Sequence, residues 1–289
     1  MTWFFLSLLT AMAVASCDTC MKKWFSHLSH YEMMLFPLVY GLPFLSVGLL
    51  FVTVPALDPF FYMVFLVTIP FTMIPMLMYM KAIKLSPLSL TVPYLAFTPV
   101  FMILTGYLLL GEVIDKWGIF GIGVVVAGGY VLNIDTKNRS LLAPFRAVFK
   151  ETGSWLMLLA ALMFSVSAVL GKLAILHSSV MFFQVWFFIV VSLLLLGIMV
   201  VTRHINPAIL LQSPAKGLVV GILMVIHILC HGFAISMTKA AYMMSIKRLS
   251  ILFSIIYGGL VFKEENLPIR FTGAVMMFAG ACILLLMAD

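Results

Sequence analysis

Lys247 and Arg248 stand side by side inside an apolar stretch, Lys239 to Phe262, long enough to cross a membrane. At ~1.5 Å rise per residue the pair lies about 11–14 Å from the start of that stretch, near the middle of a ~30 Å hydrocarbon core. A charge at that depth costs about 2.5–3.5 kcal/mol on the insertion scale. The pair therefore does not face lipid. It calls for a watery cavity, an anionic partner, or both. Arginine offers a planar fork of donors and lysine a point charge, a combination suited to phosphate or carboxylate. Two other uses compete with anion binding: a fixed ion pair with an acid such as Asp18, and a gating role.

Asp18 is the one carboxylate well inside the first apolar stretch. An acid in a low-dielectric site can carry protons. It can equally neutralise Lys22, which lies four residues along the same helix, and that reading is preferred. His227 and His231 are one helical turn apart, a spacing open to a transition metal. No carboxylate or further histidine accompanies them, so substrate contact, proton handling or packing takes precedence and no metal site is assigned. Cys17-x-x-Cys20 has no second ligand pair and reads as small apolar packing in a helix. No catalytic residues and no cofactor are assigned: neither a Walker motif, nor His-Glu-x-x-His, nor Gly-x-Ser-x-Gly is present.

The elements that must position these groups are apolar helices. Hydrophobic residues make up 64% of the chain and charged residues 9%, against about 25% charged in a soluble domain, and the mean hydropathy is +1.20. These values predict an all-α polytopic membrane protein with the lipid bilayer as its solvent. The N-terminus is apolar at once, without a basic n-region, and reads as a retained helix. Ten stretches have spanning length: 2–21, 33–54, 60–80, 87–110, 117–134, 154–175, 180–201, 217–237, 240–262 and 269–288. The net charge of +7 points to basic cytoplasmic loops and not to nucleic acid. Loops after the odd-numbered spans hold Lys22, Lys23, Lys81, Lys84, Lys137, Arg139, Arg146, Lys150, Arg203, Lys216, Lys263 and Arg270. Loops after the even-numbered spans hold Lys116, Lys172 and Lys239. The positive-inside rule then places both termini outside the cytoplasm. Short length suggests a bacterial plasma membrane. Oligomeric state is left open.

The second half repeats the first. Shifted by 150 residues, Lys22 falls on Lys172 and His27 on His177. Shifted by 152, Ala82 meets Ala234, Thr98 meets Ser250, Phe101 meets Phe253, Gly106 meets Gly258 and Glu112 meets Glu264. Gly121 and Gly128 meet Gly273 and Gly280 in the same register. Each half holds five spans, an odd number, so the halves enter the membrane from opposite sides. That is an inverted 5+5 repeat of ten transmembrane helices, with 1–135 and 154–289 as repeats and 136–153 as a basic linker.

The paired segments carry a family resemblance. They read Ala82-Ile83-Lys84, Thr98-Pro99-Val100-Phe101 and Leu110-Gly111-Glu112 in the first half. The second copy is Ala234-Ile235-Ser236, Ser250-Ile251-Leu252-Phe253 and Phe262-Lys263-Glu264. The pattern resembles the EamA-like branch of the drug/metabolite transporter superfamily. The resemblance implies ten-helix carriers of amino acids, nucleotide sugars, phosphorylated sugars or drugs. It further implies that spans 3, 4, 8 and 9, with 1 and 6, surround a central path. Ser245-Ile246-Lys247-Arg248-Leu249-Ser250 is similar to the ninth helix of the plastid phosphate translocators, where an adjacent Lys-Arg holds a substrate phosphate. Those translocators add a basic residue from another helix; Lys172 is a candidate here, at the end of its span.

Helical spacing puts Lys247, Ser250, Ser254 and Gly258 on one face of span 9, and Thr91, Tyr94, Thr98 and Thr105 on one face of span 4. Thr72, Pro75 and Tyr79 share a face of span 3, with Met224, His227 and His231 as their repeat mates on span 8. The expected substrate-binding set is Lys247, Arg248, Ser250, Thr98, Tyr94, Tyr79, His227 and His231, with Asp18 as a possible coupling acid. Pro70, Pro75, Pro93 and Pro99 place the bends in the first half, while the second supplies charge. Glu112 and Glu264 are expected to anchor the helix that follows each. The glycines Gly121, Gly128, Gly273 and Gly280 are expected to allow close packing. The whole predicts a secondary transporter of a small polar metabolite, leaning to an organic anion, by alternating access. The alternatives are a proton-coupled exporter of cationic or zwitterionic compounds and, more remotely, an intramembrane enzyme or a non-transporting scaffold.

Overall fold

The structure is a computed structural model that describes residues 1–85, 92–132, 152–262 and 267–287. Expectations resting on Thr91, Lys263, Glu264 and linker residues 136–151 fall outside these. Every regular element among the described residues is helical. The order is α1 (Thr2–Phe25), α2 (His30–Gly48), α3 (Pro59–Leu85), α4 (Thr98–Leu110), α5 (Lys116–Leu132), α6 (Thr152–Leu176), α7 (Val180–Val201), α8 (Pro214–Met237), α9 (Ala240–Lys247), α10 (Ser250–Phe262) and α11 (Leu267–Leu286). Short 3-10 turns cover Leu49–Phe51, Val92–Phe97 and Pro207–Gln212.

Polar side chains set the helix starts. Ser29 and Glu32 form a reciprocal capping box at α2, which satisfies donors that the first turn leaves open. Asp58 accepts the Phe61 amide at 2.7 Å ahead of α3, and Ser179 accepts that of Phe182 at 3.2 Å ahead of α7. Within the helices, Thr10, Thr68 and Ser245 turn their hydroxyls back onto the carbonyl four residues earlier, so these groups are not left bare in an apolar medium.

The chain is an integral, multi-pass membrane protein. Among the described residues, six helices are long and apolar enough to cross a bilayer: Thr2–Phe25, His30–Phe51, Pro59–Tyr79, Thr152–Leu176, Val180–Val201 and Pro214–Met237. Shorter apolar helices cover Tyr94–Leu110, Lys116–Val131 and Thr272–Leu286. The outer surface is apolar as well. Leu50, Leu66, Leu108, Val201 and Leu260 are all well exposed, a surface that suits lipid and not water.

Packing pairs elements from the two halves. α1 runs along α8, α3 along α6, α2 along α7 and α5 along α11, while α1 also meets α9 and α10 as α6 meets α4. Thr72 on α3 and Ser167 on α6 join their hydroxyls at 2.6 Å, and Ser16 on α1 reaches the Tyr257 hydroxyl on α10 at 3.2 Å. The expected glycine contacts are present. A Cβ on Gly280 would lie 2.8 Å from the Gly121 carbonyl oxygen, and one on Gly128 would lie 2.8 Å from that of Gly273. Gly121 faces Gly280 and Gly128 faces Gly273, so α5 and α11 run antiparallel.

Two sequence expectations change. α3 continues through Pro70 and Pro75, whereas span 9, which has no proline, is interrupted. α9 ends at Lys247 and α10 begins at Ser250. Between them the amides of Leu249, Ile251 and Leu252 bond three residues back instead of four, a local 3-10 tightening of a kind common at hinges and functional sites. The stripe read from Lys247 to Ser254 is thus carried by two segments meeting at a joint. The helix expected from residue 154 also starts earlier, at Thr152.

Two outcomes test this packing. Gly280→Ala forces a methyl onto backbone atoms that cannot retreat, so we expect a loss of about 1–3 kcal/mol, while Gly123→Ala, with nothing within 4 Å of its added Cβ, melts in detergent like the parent. Asp58 also contacts His177 Nδ1 at 2.8 Å; the Phe61 amide, then His177, hold its carboxyl below the ordinary value of 3.8. A depressed folded pKa stabilises above the unfolded value and fades as pH falls through the folded one. The melting advantage of the parent over Asp58→Asn should therefore be full at neutral pH and vanish below about pH 3.8.

Candidate functional site

α9 is a short helix held at both ends by the first half of the chain. At its start, the Ala240 amide donates to Glu112 Oε2 at 2.8 Å. The other oxygen of Glu112 takes the Lys172 ammonium at 2.5 Å, and Lys172 also donates to the Thr238 carbonyl at 2.5 Å. These two side chains are only 10% and 12% exposed. A carboxylate at a helix N-terminus meets the positive end of the helix dipole. Gly111 explains the geometry: it closes α4 with φ at +67°, a conformation glycine adopts without a Cβ penalty, and it turns Glu112 back across the end of the bundle. Asp115 caps α5 through the Trp117 and Gly118 amides at 3.0 and 3.2 Å and accepts the Tyr242 hydroxyl of α9. That hydroxyl, ahead of the amides, holds the Asp115 carboxyl below its ordinary range.

Glu112 therefore anchors α9, in the other half of the chain, and not the helix that follows it in sequence. Lys172 is likewise committed to Glu112 and Thr238, so it does not serve as the additional basic residue of a phosphate site.

At the far end of α9, Arg248 Nη2 donates to Thr98 Oγ1 at 2.7 Å. Thr98 is fully buried and donates its own hydroxyl hydrogen bond to the Leu95 carbonyl at 2.7 Å. Thr98 is also the first residue of α4, directly after the 3-10 turn Val92–Phe97, as its repeat mate Ser250 is the first of α10. Both interrupted spans thus resume regular helix at matched positions. The residues matching Lys247 and Arg248 in the first copy are Leu95 and Ala96.

Further groups gather at this joint. Lys247 lies within electrostatic reach of Asp18 on α1 and of His227 and His231 on α8. Tyr79 of α3 lies within reach of Asp18 and Arg248. The two imidazoles are 6.0 Å apart, edge to face. Asp18 is exposed to solvent and Lys247, Arg248, Tyr79, His227 and His231 are partly so, although helices from both halves surround them. Arg248 Nε and His231 Nδ1 are buried without a hydrogen-bond partner among the described residues, and Lys247 donates no hydrogen bond there.

Of the expected site residues, Lys247, Arg248, Thr98, Tyr79, His227, His231 and Asp18 come together, and Ser250 begins α10 beside them. Tyr94 is 3% exposed and packs with Ala82 and Met157, with Tyr79 at the edge of that cluster. Lys247 lies within electrostatic reach of Asp18. Among the described residues no group of three His, Cys, Asp or Glu side chains comes together as a metal site.

The comparisons agree with this architecture. The EamA-like transporter family matches twice, over residues 1–134 and 151–286. The chain belongs to the EamA-like transporter family. No curated protein matches it. A solved crystal structure is similar over 97% of this chain and 94% of that one, with a TM-score of 0.74 at 15% identity, a likeness of fold. The EamA-like halves meet at Glu112, Lys172 and the α9 N-terminus, and again at Thr98 and Arg248.

Sequence reading missed the clamp on α9, although its signals were present: Gly111 before Glu112, and a lysine at the end of span 6. Glu112→Ala strands a nearly buried ammonium and uncaps α9, and should cost about 3–5 kcal/mol. Adding Lys172→Ala should recover part of that loss, a coupling that a double-mutant cycle on melting in detergent measures.

Proposed function

We propose that this EamA-like protein is a secondary carrier of a small organic anion, working by alternating access between two inverted five-helix repeats. The antiparallel glycine contact of α5 with α11 and the exchanged pairing of α1 with α8 and α3 with α6 support the inverted arrangement. The single observation that carries the anion reading is the α9–α10 joint. There Lys247 has no hydrogen-bond partner among the described residues, and Arg248 spends one donor on Thr98 while its Nε has no partner. Charges at membrane depth are retained where they bind something.

Arg248 and Lys247 take the anionic group of the substrate. Tyr79, His227 and His231 contact the remainder, and Ser250 offers a hydroxyl beside Arg248. Thr98 holds the Arg248 guanidinium in place. It also ties the joint of one repeat to the matching joint of the other, so a ligand on Arg248 bears on the contact between repeats. The basic loops orient both termini outside the cytoplasm.

Uptake of anionic metabolites into proteoliposomes tests the assignment. Lys247→Ala and Arg248→Ala should each lower initial uptake at least about tenfold, the loss expected when a charged hydrogen-bonding partner is removed. Equal uptake by parent and both variants would sink the anion reading.

A further inference from the structure

The helices sort into two groups by what they pack on. α6 carries α3, α4 and the 3-10 turn Val92–Phe97, while α1 carries α8, α9 and α10. The repeat register relates the groups, matching spans 3, 4 and 6 to spans 8, 9 and 1. Asp58, ahead of α3, and His177, just past α6, meet inside the first group.

At one end of the molecule polar bonds cross between the groups. α4, α6 and α8 end there, and α5 and α9 begin there. The corner between α8 and α9 is only Thr238 and Lys239. Its Thr238 carbonyl accepts from Lys172 of α6 at 2.5 Å, and the Ala240 amide donates to Glu112, just past α4, at 2.8 Å. Further along α9, the Tyr242 hydroxyl donates to Asp115 at the head of α5. A Cβ on Gly118 would overlap that hydroxyl, so glycine admits the ring.

This grip can let go without stranding a charge. Lys172 and Glu112 hold each other at 2.5 Å as well as the corner. When the corner withdraws, the two charges still neutralise one another, and water can replace their bonds to the Thr238 carbonyl and the Ala240 amide. A static fastening gains little from such a pair, since burying the charges, here 10% and 12% exposed, offsets much of their attraction. The gripped segment is α9, whose last residue is Lys247. The 3-10 bonds that follow it are of a kind that marks hinges.

We infer that the α8–α9 corner is a gate, latched shut in this structure by Glu112, Lys172 and Asp115, and released as a unit to open this end of the molecule. The inference rests on the carrier reading and names its moving part.

Two measurements test the gate in a background with Cys17, Cys20, Cys230 and Cys282 replaced by alanine. In the first, Ala240→Cys, fully buried at the latch, is labelled by a water-soluble maleimide only when the corner lifts. Labelling should speed up about tenfold or more in Tyr242→Phe, and in Glu112→Gln combined with Lys172→Met, the effect of losing a hydrogen bond to a charged group. Ala82→Cys, packed with Tyr94 and Met157 inside the first group, should label at its unaltered rate. No acceleration at Ala240→Cys, or equal acceleration at both positions, overturns the inference and leaves a static clamp. In the second, Gly118→Cys and Tyr242→Cys are bridged by a short bis-methanethiosulfonate. Uptake into proteoliposomes, from a panel of lactate, succinate and methyl phosphate, should stop on bridging and return on reduction. Unchanged uptake by the bridged protein overturns the gate and leaves the carrier reading intact. If the unbridged protein takes up none of the panel while Ala240→Cys labels as expected, the carrier reading falls and the gate stands.

Discussion

Two cations at membrane depth are the constraint from which the rest of this structure follows. Such charges cannot be left against lipid, so helices must surround them and water must reach them. The chain gathers helices around them at one joint. α9 stops at Lys247, the backbone tightens for a turn, and α10 starts at Ser250. Arg248 is then steadied by the Thr98 hydroxyl from the opposite half, which in turn bonds the Leu95 carbonyl.

The scaffold around that joint is nearly symmetric, and the chemistry is not. Contacts between α1 and α8 are mirrored by those between α3 and α6, and glycines pair across α5 and α11. Thr98 and Ser250 restart their helices at matched positions. Yet Leu95 and Ala96 stand where the second copy has Lys247 and Arg248, and Asp18 has Ala168 as its mate. A pseudo-symmetric frame can supply two similar conformations, while an asymmetric charge set supplies one binding site. That division suits the proposed carrier, which needs equivalent inward and outward states for a single ligand.

The clamp on α9 links frame to site. Glu112 satisfies the α9 N-terminus and Lys172 at once, and all of α9 before Lys247 is buried. A helix so short has little stability of its own. Its position is set by what grips its ends, Glu112 at one and Thr98 at the other. Any rearrangement of the first half is therefore felt at Lys247.

By itself the sequence determined the class and marked where the costly charges lie. Composition demands a bilayer, because too few polar groups are present to face water. The 152-residue register pairs Thr98 with Ser250, and the Lys-Arg dipeptide marks the costly point, since a charge in an apolar run shows in one dimension. Tertiary structure decided what each charge does. Lys172 and Lys247 both lie in apolar helices, yet one is bound by Glu112 and the other makes no hydrogen bond among the described residues. Proline marked one break and missed the other: span 4 is interrupted at Pro93 and Pro99, while the joint in span 9 has no proline. Partners 60 or 150 residues away decide these outcomes, and no local pattern records them. A helix face is written in the spacing of its residues; the group that meets it is chosen only when the other helices close around it.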